Sequence, residues 1–186
     1  MRSRFAAALL ALPLAGQAQA TPVALDTWYT FGFSGAGSSL SSGSGYALGT
    51  NPSALAAPDP AWTFLLPSGG GTLTVVDLFI SSDRFMLFDF GSGIGSTGSF
   101  VEGGSCDSDI SCALADSRYS RGVFSLGAGS HSITGQQTEG AGGAAAFMVS
   151  ASGGAPVPLP AAFGLQAGVA ALLAGGALLR RRRGRG

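Results

Sequence analysis

Few side chains in this chain of 186 residues are equipped for chemistry: ten acidic residues, two cysteines and a single histidine. Cys106 and Cys112 enclose Asp107-Ser108-Asp109-Ile110-Ser111. A metal centre needs more ligands than two thiolates and the distant His131 provide, and a redox pair is normally spaced more closely. Asp107, Asp109 and Asp116 could offer oxygen ligands to Ca²⁺, but the ligand spacing and bidentate glutamate of an EF-hand are missing, so a solvated acidic loop is the simpler reading. Asp77, Asp83 and Asp89 fall near strand ends, and paired carboxylates for glycoside hydrolysis could be drawn from them, although no spacing selects a pair. His131 shares a strand face with Ile133 and reads as a residue bonded to a neighbour. Gly-x-Ser-x-Gly and His-Glu-x-x-His are both absent. Gly93-Ile94-Gly95-Ser96-Thr97-Gly98 has the glycine spacing of a dinucleotide loop, yet Ser99-Phe100-Val101-Glu102-Gly103-Gly104 cannot form the helix that would receive a pyrophosphate. The expectation is a protein with no catalytic residue, cofactor or metal of its own. Trp28, Trp62, Tyr29 and Tyr46 supply a second reading, a carbohydrate-binding platform of flat rings with polar tips, although alternation assigns most of them to a core.

The elements that must position these residues are short. Tyr29, Phe31 and Phe33 alternate with Thr30, Gly32 and Ser34 at the period of two of a half-buried strand, within a run from Leu25 to Ser34. Gly35 to Gly49 is rich in glycine and serine, and with Asn51-Pro52 and Pro58-Asp59-Pro60 it reads as a long loop. Trp62, Phe64 and Leu66 alternate in the next run; Pro67 to Gly71 supplies a turn; Thr72 to Phe79 follows, and the two runs together read as a hairpin. Arg84 to Phe90 is apolar on both faces, as in a central strand. Ile94 to Val101, Gly122 to Leu126, Ser130 to Gln136 and Ala144 to Ala151 complete about eight strands, the last with Phe147 and Val149 on one face and Met148 on the other. Helical periodicity is missing. The pattern predicts an all-β fold, an antiparallel β-sandwich of jelly-roll type, over residues 21–155.

The two ends differ from this middle. Arg2 and Arg4 precede eleven apolar residues, Phe5 to Ala15, and Ala18-Gln19-Ala20 is a small-x-small cleavage pattern. Residues 1–20 therefore read as a secretory signal peptide cut between Ala20 and Thr21, engaging the export translocon and signal peptidase. At the other end Val157, Pro158, Leu159, Pro160 and Ala161 lead into 19 uncharged residues, Ala161 to Leu179, and then Arg180, Arg181, Arg182, Arg183 and Arg185. At ~1.5 Å per helical residue the apolar stretch reaches ~28 Å, enough to cross a hydrocarbon core of ~30 Å. Gly164 and Gly168 within it have the spacing of a helix-packing pair. The arginines are costly to translocate and act as a stop-transfer signal on the cytoplasmic side. An exported chain with two cysteines favours a disulfide between Cys106 and Cys112.

Removing the targeting segments leaves Arg84, Arg118 and Arg121 against ten acidic residues, a net charge of −7 between Thr21 and Pro156. That sign repels phosphate backbones and disfavours nucleic acid as a partner.

The tail over residues 156–186 resembles the PEP-CTERM protein-sorting signal in its VPLPA variant: a short proline motif at Val157 to Ala161, one transmembrane helix and a terminal arginine cluster. Leu159 stands where the commonest form has an acidic residue. Runs such as Val76 to Phe79, Gly122 to Thr134 and Gly143 to Phe147 are similar to the exported domains of such proteins. The resemblance implies that this chain is the substrate of an exosortase-type membrane transpeptidase, which cleaves near the proline motif. It implies a place at the cell surface or in an exopolysaccharide-rich matrix, after a stage as a single-pass membrane precursor with its ectodomain outside the cytoplasm.

Overall fold

The computed structural model describes residues 20–152 apart from residue 44. In chain order the strands are β1 (Thr21–Pro22), β2 (Trp28–Gly35), β3 (Leu55–Ala56), β4 (Trp62–Leu66), β5 (Gly71–Asp77), β6 (Phe79–Ile80), β7 (Arg84–Asp89), β8 (Ser92–Ser96), β9 (Ser105–Asp107), β10 (Arg121–Leu126), β11 (Gly129–Glu139) and β12 (Ala141–Ala151). One helical turn at Gly45–Leu48 and one short helix, α1 (Ile110–Ala115), accompany them among the described residues. The fold is all-β.

Two five-stranded sheets dominate, in the orders β1-β4-β11-β7-β8 and β10-β5-β12-β2-β3, and β6 pairs with β9 in a small ribbon. Every pairing between the long strands is antiparallel; the dipeptide strands β1 and β3 pair in parallel with β4 and β2. If the eight long strands are numbered in sequence, one sheet reads second, seventh, fourth, fifth and the other sixth, third, eighth, first. The chain thus passes back and forth between sheets, and β7 with β8 is the one hairpin between consecutive long strands described.

Alternation sets the core. Tyr29, Phe31 and Phe33 on β2, Leu73 and Val75 on β5, and Phe147 and Val149 on β12 face Trp62, Phe64 and Leu66 on β4, Phe85 and Leu87 on β7, and Ile133 on β11. Rings meet across the interior: Phe31 lies 5.3 Å from Trp62 and 5.5 Å from Phe85, and Trp62 stacks on Phe147 at 4.1 Å. These faces are the ones the sequence alternation indicates.

The expected hairpin of Trp62 to Phe79 does not form. β4 pairs with β1 and β11, whereas β5 pairs with β10 and β12 in the other sheet. Trp62-Phe64-Leu66 and Leu73-Val75 both need the same interior, and the chain meets that need by crossing it, turning at Gly70 with φ 69° where a side chain is disfavoured. The run expected from Ile94 to Val101 also stops early, at Ser96. Thr97 is buried, where its hydroxyl accepts the Phe85 N–H (3.1 Å) and the Ser120 hydroxyl proton (2.5 Å), and Gly98 N–H then donates to Arg121 O (2.9 Å) on the opposite sheet. The long connection before β4 is more ordered than a plain loop: Leu40, Ala47, Ala54 and Ala57 are buried, and Ser39 and Ser41 bridge to Gln136 and Gly32.

A second apolar cluster covers the outer face of the second sheet. Val76 and Ala146 point away from the core and are roofed by Ile110 and Ala113 of α1, by Tyr119 and by Leu78. A six-residue helix has little stability alone, so α1 depends on this packing and on Asp109, whose side chain caps it by accepting the Cys112 N–H (3.0 Å).

Candidate functional site

The chemically capable residues fall into three places. In the first, Cys106 and Cys112 lie at disulfide distance, with Sγ atoms 1.99 Å and Cα atoms 5.6 Å apart, β9 carrying one and α1 the other. Two of the acidic residues around them are engaged locally, and the third, Asp107, is exposed. Asp109 caps α1, and Asp116 binds Arg118 through both carboxylate oxygens, with contacts of 2.6–3.1 Å that hold its carboxyl below the usual range. Among the described residues no group of three or more His, Cys, Asp or Glu side chains could hold a metal ion. Tyr119 fastens this region to the chain beyond β5: its hydroxyl donates to Phe79 O (2.6 Å) and accepts the Cys106 N–H (2.6 Å). Asn51 ties the long connection to the same loop, donating to Ser108 O and accepting the Ile110 N–H (3.1 Å).

The second place brings together two of the three carboxylates named as hydrolytic candidates. Asp77 ends β5 fully buried, with Asp83 nearly so at the start of β7. Asp77 Oδ1 accepts the Leu78 N–H (2.9 Å), and Oδ2 accepts those of Ser82 and Asp83 (3.2 Å each), so one carboxyl closes the loop between the strands. Burial, and next the charge of Asp83, push the Asp77 carboxyl up to about 8, against the pull of these three N–H groups. Burial raises Asp83 as well, although Ser82 Oγ (3.0 Å), the Ala141 N–H and Gln137 Nε2 (2.6 Å) all donate to it. A cleft of about 380 Å³ opens beside the pair, between Leu78, Phe79 and Ile80 on one wall and Ala141 to Ala144 on the other.

Gln137 organises this end of the two large sheets, and the sequence reading passes it over by closing the strand at Gln136. It is fully buried on β11. Its Oε1 accepts the Gly35 N–H (2.7 Å), and its Nε2 lies 2.6 Å from Asp83 Oδ1, 2.6 Å from Ala141 O and 3.1 Å from Glu139 O. The period of two through His131 and Ile133 is the signal that places Gln137 inside.

The third place holds His131 and Asp89, at the far end of β7 from Asp83. His131 Nδ1 is 2.7 Å from Asp89 Oδ2 and Nε2 is 3.0 Å from Gly127 O, while the ring stacks on Phe64 at 5.3 Å. Asp89 Oδ1 accepts the Ser132 N–H (2.9 Å). Both ring nitrogens are occupied, as in a strand histidine bonded to its neighbours.

Among the described side chains, those of the expected aromatic platform do not come together on the surface. Trp62 is 1% exposed and Tyr29 7%, both in the core, and Trp28 packs half-buried against the second cluster. Trp62 Nε1 donates to Pro58 O (2.8 Å). The side chain of Tyr46 lies outside the described residues, as do the signal segment 1–19 and the whole tail, including Val157 to Ala161, the apolar stretch 161–179 and Arg180 to Arg185. Among the described residues no helix is long and apolar enough to cross a membrane. Of the cleavage pair, Ala20 is exposed and Thr21 begins β1. No known protein family, curated protein or solved structure matches this chain.

Proposed function

We propose that this chain is an exported protein of the cell surface or extracellular matrix, made as a membrane precursor with a removable signal peptide and a PEP-CTERM-type sorting tail. It has no catalytic activity of its own. Its partners are the export translocon, signal peptidase and an exosortase-type transpeptidase acting near Val157 to Ala161, with an exopolysaccharide matrix as its surroundings.

The observation that carries this reading is the fit between the fold and the expected processing points. β1 begins at Thr21, the residue after Ala18-Gln19-Ala20, and β12 ends at Ala151, six residues before Val157. Cutting at either end leaves every described strand intact. The cysteine pair at disulfide distance suits an oxidising compartment. The occupation of the Asp77, Asp83, Asp89 and His131 side chains by structural hydrogen bonds supports a non-enzymatic role. The alternation of consecutive strands between two sheets supports the jelly-roll form of the sandwich.

Changing Arg180 to Arg183 and Arg185 to glutamine tests the stop-transfer role. Fractionation of cells carrying this variant is expected to show weakened retention in the membrane. Unchanged retention contradicts the reading.

A further inference from the structure

An edge strand presents unpaired N–H and C=O groups, and natural sheets shorten, bend or charge their edges against pairing with another chain. The edges of the two large sheets are β1, β8, β10 and β3. β1 and β3 are dipeptides, and the chain beside each extends the cover. Val23 N–H donates to Thr63 O (2.9 Å) beyond β1, and Ser41 exchanges backbone bonds with Gly32 (2.8 and 3.3 Å) beyond β3. The ladder of β8 with β7 is broken by a register shift, and Gly95 bends the strand at φ 138°. β10 has none of these devices. It pairs with β5 in unbroken register, contains neither lysine nor proline, carries its one charge at its first residue, Arg121, and leaves Val123 66% exposed.

Hydrogen bonding fixes which backbone groups of β10 face outward. Asp77 N–H donates to Ser120 O (3.0 Å), so Ser120, Gly122, Phe124 and Leu126 turn their backbone groups to β5, and Arg121, Val123 and Ser125 turn theirs to the open side. There Arg121 O accepts the Gly98 N–H (2.9 Å). Past the other end, Gly127 O accepts from His131 Nε2 (3.0 Å). Between these two stops the N–H and C=O of Val123 and Ser125 have no partner among the described residues.

A donor and an acceptor on each of two residues, placed symmetrically about Phe124, complement themselves. We propose that β10 pairs antiparallel with β10 of a second copy of this chain, with Phe124 on the two-fold axis. Val123 of each copy then lies opposite Ser125 of the other, and each pair exchanges both backbone bonds. An axis at Val123 would bring in Arg121, and an axis at Ser125 would bring in Gly127, whose carbonyls are already bonded. Each strand ends at Leu126, opposite Gly122 of the other copy, and the Gly127-Ala128 turn leads it away before it meets Gly98.

Charge selects the same occupant. From Ser117 to Thr138 there is no acidic residue, so in a domain of net charge −7 this edge lets two copies meet without setting carboxylates against each other. The pairing joins two copies of the sheet β10-β5-β12-β2-β3 edge to edge and stands independent of the export reading.

Cysteine cross-linking of the full chain in a mild non-ionic detergent tests it. In this register the Cα atoms of residues 123 and 125 of opposite copies lie about 5.5 Å apart, within the span of a disulfide, whereas the two copies of residue 123 are separated by roughly 8 Å, beyond it. Chains carrying Val123→Cys, mixed with chains carrying Ser125→Cys and oxidised with copper phenanthroline, are expected to link about tenfold faster than either alone. Val123→Cys mixed with Ser130→Cys, an exposed position on the other sheet, should link no faster than either alone. Far-UV circular dichroism checks that each variant is folded, and sedimentation velocity of the unsubstituted chain should show a dimer. A monomeric chain would overturn the proposal and leave β10 open for a strand of another protein. Linking in the first mixture no faster than by either chain alone, or equally fast linking through Ser130→Cys, would also overturn it, since the dimer would then be held by another surface.

Discussion

Replacing Gln137 by leucine keeps most of its volume and removes every hydrogen bond its side chain makes, leaving the backbone bonds to Ser38 O and from the Gly37 N–H. The Gly35 N–H, the Ala141 carbonyl and one oxygen of Asp83 lose their partner, at distances of 2.6–2.7 Å in the native fold. Gly35 and Ala141 are partly open and can recruit water. Asp83 keeps Ser82 Oγ and the Ala141 N–H but is itself buried. Charging each stranded group roughly 1–3 kcal/mol, with water offsetting part, gives a loss of about 3 kcal/mol. Against the ~5–15 kcal/mol of a typical domain this is large, equivalent to a fall in Tm of roughly 10 °C. Urea unfolding followed by tryptophan fluorescence reads it directly, since Trp62 lies in the core. Gln136→Ala, one residue back on the exposed face, removes a bond to Gly37 O (2.7 Å) and should cost less than about 1 kcal/mol. A Gln137→Leu protein within about 0.5 kcal/mol of wild type would refute the assignment of Gln137 as the tie between β2, β12 and Asp83.

Two other perturbations probe the satellite and the carboxylate pair. Mutating Cys106 and Cys112 together to alanine opens a loop with a sequence separation of 6, which on the chain-entropy model stabilises by about 2 kcal/mol; thermal unfolding should fall by several degrees, and native protein should contain no thiol reactive to a maleimide. Free thiols in the exported protein would contradict the pairing. Asp77 has a folded pKa of about 8, above its ordinary 3.8, so the native state holds a proton that the unfolded chain releases. Its contribution therefore favours folding most below pH 4, declines between pH 4 and 8 with a slope of up to about 1.4 kcal/mol per pH unit, and is flat above that. Asp77→Asn should flatten the stability profile across this window, and a profile unchanged by the substitution would count against the assignment.

Which residues face the core was legible from period-two patterns, because Tyr29-Phe31-Phe33, Trp62-Phe64-Leu66 and Phe147-Val149 each alternate large apolar with small or polar residues. Which strands pair was not. The patterns of β4 and β5 say that each has one apolar face, and that holds equally for a hairpin and for two strands on opposite walls of the same core; only the filling of the interior by Trp62, Phe31, Phe85 and Phe147 together decides it. α1 escaped notice because six residues are too few for helical periodicity, and its stability comes from Asp109 and from Val76 beneath it. Asp77 and Asp83 were visible as acidic residues near strand ends, but their juxtaposition depends on a loop folded around the Asp77 carboxylate, and no spacing encodes that.

Export with removal of both targeting ends is tested by the intact mass of the protein recovered from the envelope and from the growth medium of its native host. The prediction is a chain that begins at Thr21 and ends near Pro160, with Cys106 and Cys112 oxidised. A chain that keeps Arg180 to Gly186 in every fraction would mean a permanent anchor and contradict the sorting reading, and one that keeps Met1 to Ala20 would contradict export through a cleaved signal peptide.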